Sequence, residues 1–206
     1  MFITIEGIDG GGKTTLIEPL KKYIEKKGYE VFLTREPGGT AISEEIRTIL
    51  LKKRLEKIDG WTEALLFIAS RKQHLSEAII PALKANKIVI CDRYMDSTTA
   101  YQGAGRGLKL DDIDEVQNIV LGEHKPDLTI YLDLNLQSAN QRINHRRDVD
   151  DANRLDEENN EYKQKVIDGY HDLVQKYPNR FKVIDASLSK EEVINQAKMI
   201  IDQVLK

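Results

Sequence analysis

The chain lacks most of the features that would commit it to an unusual environment. Its 206 residues include a single cysteine, Cys91, so no disulfide can form within it, and a reducing, cytoplasmic setting is expected. No run approaches the roughly 18 apolar residues of a membrane span. The N-terminus also shows no basic segment, apolar core and cleavage site of a secretory signal. No membrane partner is expected. Positive charge is not in excess either. Lys and Arg number 31 against 34 Asp and Glu, giving a net charge of −3 and a pI near 5.9. A duplex nucleic-acid binder usually shows a basic excess, so no nucleic-acid partner is expected. There is no internal repeat, low-complexity tract or linker. The four histidines, His74, His124, His145 and His171, do not cluster, and none is assigned a catalytic role. What remains is ordinary globular composition, 40% hydrophobic and 32% charged, at a length that suits one domain over residues 1–206.

Within that composition, short apolar and β-branched runs recur: FITIE (2–6), EVFLT (30–34), KIVICD (87–92), LTIYLDL (128–134) and FKVID (181–185). Such runs suit strands buried on both faces of a parallel sheet. Helical patterns fill the intervals over 13–27, 43–53, 62–84, 110–121, 136–146, 155–176 and 190–205. Gly28 is a plausible stop for the first. Ile46, Ile49 and Leu50 mark the second. Leu65, Leu66, Ile68, Ala69, Leu75, Ile79 and Leu83 form a stripe along the third, where Pro81 is expected to kink or end the helix. Alternating β and α elements imply a three-layer α/β fold with a central parallel sheet and right-handed crossovers. NHRRDVDDANR (144–154) is the one charge-dense break and reads as a mobile surface loop.

The most informative string is GIDGGGKTT, residues 7–15: Gly7, Ile8, Asp9, Gly10, Gly11, Gly12, Lys13, Thr14 and Thr15. Gly7, Gly12, Lys13 and Thr14 satisfy G-x-x-x-x-G-K-[ST], after a strand and at the start of a helix. Backbone N–H groups can wrap phosphate oxygens there, and the helix N-terminus adds partial positive charge. Lys13 is expected on the β- and γ-phosphates and the Thr14 hydroxyl on Mg²⁺. The expected ligand is a nucleoside triphosphate. Asp92 should emerge at the carboxyl edge of the sheet, where open α/β sheets place ligands, and is preferred over Asp133 for the Mg²⁺ hydration shell. Arg93, next to it, suits a phosphate site.

This loop alone does not choose among kinases, switches and motors. A guanine-reading Asn-Lys-x-Asp is missing; HKPD (124–127) reads as a turn before a strand, and the chain is short for a motor. A small phosphotransferase remains. Arg35, Arg47, Arg71, Arg93, Arg142, Arg146, Arg147 and Arg154 are candidates for charge neutralisation, with Arg35 and Arg93 favoured because they follow strands. An acceptor that is itself a phosphate needs such a set. With a second pKa of about 6 it is largely a dianion at neutral pH. It is already a nucleophile, and the obstacle is its repulsion from the triphosphate.

GIDGGGKTT, TREPGG, ALLFIASR, CDRYMDSTTAYQG and NRLD, in this order and spacing, resemble the bacterial thymidylate kinase family over essentially the whole chain. The resemblance implies a five-stranded parallel sheet flanked by helices, Mg²⁺-dependent transfer of the γ-phosphoryl group of ATP to dTMP, and a homodimer. It implies that Phe67 stacks on thymine and that Arg71, four residues on and on the same helix face, bonds a base carbonyl. It further implies that Arg35, Arg47 and Arg93 grip the acceptor phosphate beside Pro37 and Ser97. Tyr101 would lie near the sugar 2′ position, Thr98 and Gln102 near the base, and Asp9 would face the acceptor's 3′-hydroxyl. A cis Glu36–Pro37 bond and an arginine-bearing lid over about 142–155 are also implied, with Arg147 and Arg142 the preferred catalytic arginines alongside Lys13 and Arg93. Other nucleotide kinases on this scaffold, and a nucleotide-driven regulatory protein, are the alternatives.

Overall fold

In the computed structural model, residues 1–146 and 154–205 are described. The five apolar runs form strands β1 (Phe2–Glu6), β2 (Val31–Arg35), β3 (Ile88–Asp92), β4 (Leu128–Asp133) and β5 (Phe181–Asp185). All pair in parallel, in the order β2-β3-β1-β4-β5. Strand β1 is buried throughout, and β3 and β4 open only at their final aspartates, Asp92 and Asp133. The edge strands are only partly buried. Continuous burial therefore holds in the centre and fails at the edges, where one neighbour is missing.

Alternation along the strands divides the core between two faces. Ile3, Ile5, Ile88 and Ile90 join one cluster with Leu16, Leu20, Ile24, Tyr170 and Ile201. Phe2, Val89 and Cys91 join another with Leu75, Ile79 and Leu121. The layers that supply these partners are α1 (Lys13–Lys26), α2 (Ala41–Leu51), α3 (Gly60–His74), α4 (Ile80–Lys84), α5 (Met95–Thr98), α6 (Leu110–Leu121), α7 (Leu136–Arg146), α8 (Asn160–Lys176) and α9 (Lys190–Val204). Helix α1 stops at Lys27, with Gly28 at φ 92°. Asp59 caps α3 through the Trp61 and Thr62 amides, and Ser189 and Glu192 form a reciprocal cap on α9.

The long third helix is not interrupted at Pro81. Between α3 and α4 the chain widens into π geometry over Leu75–Ile79, where the Ile80 amide reaches back to the Leu75 carbonyl. The wider turn accommodates a residue with no N–H and a ring that crowds the preceding carbonyls. One helical stretch has no counterpart in the apolar pattern: α5 and the π segment Thr99–Gly105. Its buried residues include Asp96, Thr98, Thr99 and Gln102. A helix that buries polar groups carries no hydrophobic stripe. Asp92, Asp9 and Arg35 all emerge at the carboxyl ends of β3, β1 and β2, with Arg35 and Ile5 both in register with Asp92.

Candidate active site

The loop after β1 is shaped by backbone. Gly7 lies at φ 140°, where a Cβ would stand 2.7 Å from the Leu132 carbonyl. At Gly10 (φ 81°) a Cβ would meet the Ala139 carbonyl at 2.9 Å. Neither position accepts a side chain without strain. Gly12 opens α1, so its first amides face the loop. Lys13 Nζ donates to the Gly7 and Ile8 carbonyls at 2.9 and 3.0 Å, and lies 3.8 Å from Asp9. Burial, and then the nearby Arg93, lower the Lys13 pKa from the usual lysine value.

Asp9 resolves how an anion-binding loop tolerates a carboxylate. Arg93 Nη2 donates to Asp9 Oδ1 at 2.7 Å. Burial pushes the Asp9 carboxyl up, but Arg93 and Lys13 outweigh it and draw the pKa down to about 2. The charge is paired from both sides.

A cleft of about 240 Å³ opens from this pair. The loop after β1 and the start of α1 supply Asp9, Gly10, Gly12, Lys13 and Thr14; the end of β2 and its turn supply Arg35, Glu36 and Pro37; and the end of β3 and the chain beyond it supply Asp92, Arg93, Ser97, Thr98, Tyr101 and Gln102. Arg47 and Leu51 of α2, Phe67 of α3, and Leu155 close the remaining walls. Arg35 Nη1 and Arg47 Nη1 each donate to the Pro37 carbonyl at 2.8 Å, which brings both heads to one turn. The Glu36–Pro37 bond is cis. Arg93 also donates to Ser97 Oγ at 3.2 Å and to Tyr101 Oη at 3.1 Å. Gln102 Nε2 donates to the fully buried Glu63, which orients the amide. Asp92 Oδ1 and Thr98 Oγ1 are buried with no hydrogen-bond partner among the described residues.

Several expected residues stand elsewhere. Arg71 shares a helix face with Phe67 but lies behind the cleft wall, only 2% exposed. Its guanidinium is committed to Glu36 Oε2 (2.7 Å), Gln117 Oε1 (2.9 Å) and the Tyr94 carbonyl (2.9 Å). Arg142 donates to the Ala186 carbonyl at 2.7 Å and the Gly10 carbonyl at 3.3 Å. It lines a second cavity behind the glycine loop, with Leu188, Val193 and Ile194. Arg154 pairs with Glu63 at 2.6 Å and donates to the Leu50 carbonyl. Arg147 and most of the expected lid lie outside the described residues, and the ends of that stretch are helical through Arg146 and 3₁₀ from Arg154. Asp133 does not line the cleft, since it accepts from Tyr131 and lies 3.0 Å from His171 Nε2. HKPD is the turn before β4, and Asp127 accepts the Phe2 amide at 2.7 Å. Three carboxylates that support the site carry little local signal: Glu6 ends an apolar strand, Glu63 lies inside a helix, and Glu36 stands in TREPGG without a role that the string announces.

The family model for thymidylate kinase matches residues 5–197. The chain belongs to the thymidylate kinase family. It is 51% identical over 206 residues to a thymidylate kinase of Mycoplasma capricolum, covering 100% of this chain and 96% of that one. It is 44% identical to a thymidylate kinase of Bacillus velezensis, covering 100% and 97%. A crystal structure of thymidylate kinase from Ehrlichia chaffeensis superposes with a TM-score of 0.76 at 35% identity, over 100% of this chain and 98% of that chain. Members of the thymidylate kinase family are nucleoside monophosphate kinases, so the anion-binding loop and the arginine-lined cleft sit on a phosphotransferase scaffold.

Proposed function

We propose that this chain transfers the γ-phosphoryl group of ATP to dTMP, giving dTDP and ADP on the route to dTTP. One observation carries the reading: Lys13 of the glycine loop and Arg93 of the acceptor wall converge on Asp9 in a single cleft. Donor phosphates lie along residues 7–15, where Lys13 exchanges its carbonyl partners for phosphate oxygens. The acceptor phosphate lies against Arg35, Arg47 and Arg93, beside Pro37 and Ser97. As a dianion it needs no general base, and the arginines offset its repulsion from the donor. Phe67 stacks on the base, Thr98 and Gln102 meet its polar edge, and Tyr101 fills the space beside the sugar. Arg71 braces the wall through Glu36. Arg142 flanks the cavity behind the glycine loop, which suits the donor's base, and Arg147 remains the lid candidate for the transferred group.

Mg²⁺ fits the same cleft. Asp92, whose buried Oδ1 has no hydrogen-bond partner among the described residues, and Thr14 both line it, and Mg²⁺ is commonly held by one or two protein oxygens plus water and phosphate. Bound there, the ion would neutralise charge on the phosphate oxygens. We also read the protein as a cytoplasmic homodimer. Ile49 of α2, Leu65 of α3 and Ile119 of α6, on helices packed in series, are 44%, 49% and 77% exposed. The apolar stripe expected to be buried is thus partly turned outward, as a subunit interface would require. The deciding experiment is ADP release with ATP and Mg²⁺ across dTMP, dUMP, dCMP, AMP, GMP and thymidine. Preference for dTMP is expected; another preferred acceptor overturns the reading.

A further inference from the structure

Glu6 ends β1 just before the glycine loop and is fully buried. Its Oε1 accepts the Tyr94 amide at 2.7 Å. Its Oε2 accepts the Ser97 hydroxyl at 2.6 Å and the Tyr170 hydroxyl at 2.8 Å. The first two contacts both bear on Arg93. That residue lies at φ 66°, in the left-handed region that residues with a Cβ seldom occupy. The Tyr94 amide belongs to the peptide that follows it, so fixing that N–H fixes the plane through which the strained turn leaves. Ser97 Oγ in turn accepts from Arg93 Nη1. One carboxylate therefore grips both the backbone and, through a hydroxyl, the guanidinium of the same arginine.

We propose that ionised Glu6 is the positioning residue for Arg93, holding its turn and its guanidinium in place for the acceptor phosphate. This rests on the assignment of Arg93 to that phosphate. The charge state matters because three donors converge on the carboxylate. An amide N–H cannot accept, so a protonated Glu6 must donate to Ser97 or Tyr170 and turn that hydroxyl away. Protonation also removes the negative charge facing Arg93. Burial and the adjacent Asp96 carboxylate push the Glu6 pKa up to about 7, against the opposing pull of Ser97, Arg93 and Tyr170. Lys13 and Arg180 also face it, and Arg180 pairs with Asp96 through Nη2 at 2.8 Å.

The test is kcat/KM for dTMP against pH in wild type, Glu6→Gln and Tyr170→Phe, since this parameter reports ionisations of the free enzyme and free substrate. Wild type is expected to lose activity below an acid limb near pH 7. That limb comes in addition to the substrate's own ionisation at about 6. Glu6→Gln loses the limb and lowers kcat/KM for dTMP above it by about 10²-fold, the scale of a misplaced catalytic group, with KM for ATP unchanged. Tyr170→Phe removes a donor that favours the carboxylate, so its limb moves to higher pH; this variant also decides the matter if Glu6→Gln does not fold. A Gln variant that keeps the limb, equal losses for ATP and dTMP, or an unmoved limb in Tyr170→Phe overturns the proposal. Failure of the functional reading looks different: wild type then does not turn over dTMP at all.

Discussion

The two walls of the cleft are built on different physical principles. The donor wall is backbone: glycines at positive φ and the first amides of α1, all within nine consecutive residues. The acceptor wall is side chains from β2, α2, α3 and the chain after β3, braced from behind by Glu6, Glu36 and Glu63. A backbone cradle is local, so a short motif announces it. A side-chain cradle is assembled from distant segments, each of which needs its own support. The glycine loop depends on backbone conformation, with Gly7 and Gly10 at positive φ and no room for a Cβ, whereas the acceptor wall depends on which charges are paired with which.

Arg93→Ala tests that contrast most severely. It removes an acceptor cation together with the partner of Asp9, and kcat should fall by about 10³-fold, as for an arginine acting on a transferring phosphoryl group. Wild-type-like turnover with dTMP would dissolve the distinction between the walls. Asp9→Ala probes the point where they meet. Steady-state kinetics should show KM for dTMP raised about tenfold, from the loss of a charge-assisted contact, with KM for ATP changed far less. Equal changes would make Asp9 a member of the donor wall only. On the other side, Gly10→Ala forces a Cβ towards the Ala139 carbonyl at left-handed φ. A cost of about 1–2 kcal/mol lowers Tm by roughly 3–6 °C for a chain of this size, with weaker ATP binding and little change for dTMP. The smallest effect is on stability against pH. Because the Glu6 pKa is raised from 4.5 to about 7 in the fold, its contribution is fully present below pH 4.5 and is lost as pH rises through 7. Urea midpoints between these limits should drift downward in wild type and drift less in Glu6→Gln.

How much of this could be read in advance follows the same division. Strand positions, parallel packing and the glycine loop were visible because each depends on local composition: apolar runs for buried strands, glycines where φ is positive. The helix at Met95–Thr98 and its π extension were not visible, since their buried face mixes Asp96, Thr98, Thr99 and Gln102 with Met95 and Ala100 and so forms no apolar stripe. Helical spacing put Phe67 and Arg71 on one face, yet only Phe67 reaches the cleft, because Glu36, Gln117 and the Tyr94 carbonyl hold Arg71 behind it. Arg142, expected near the transferred phosphate from its place beside the lid, donates in the fold to the Gly10 and Ala186 carbonyls, contacts that no local pattern announces.

By itself the sequence determined the phosphate loop, the alternating α/β layout and the family, because these rest on contiguous residues whose backbone needs or burial patterns are written locally. Tertiary structure alone decided which carboxylates serve the site. Glu6, Glu36 and Glu63 are separated by 30 and then 27 residues, and only the fold makes Glu6 the acceptor of the Tyr94 amide, Glu36 the partner of Arg71 and Glu63 the acceptor of the Gln102 amide. Strand order did that work. By placing β3 beside β1, it brought Arg93 to Asp9 across 84 positions of chain and gave an anion-binding loop a carboxylate that it can keep.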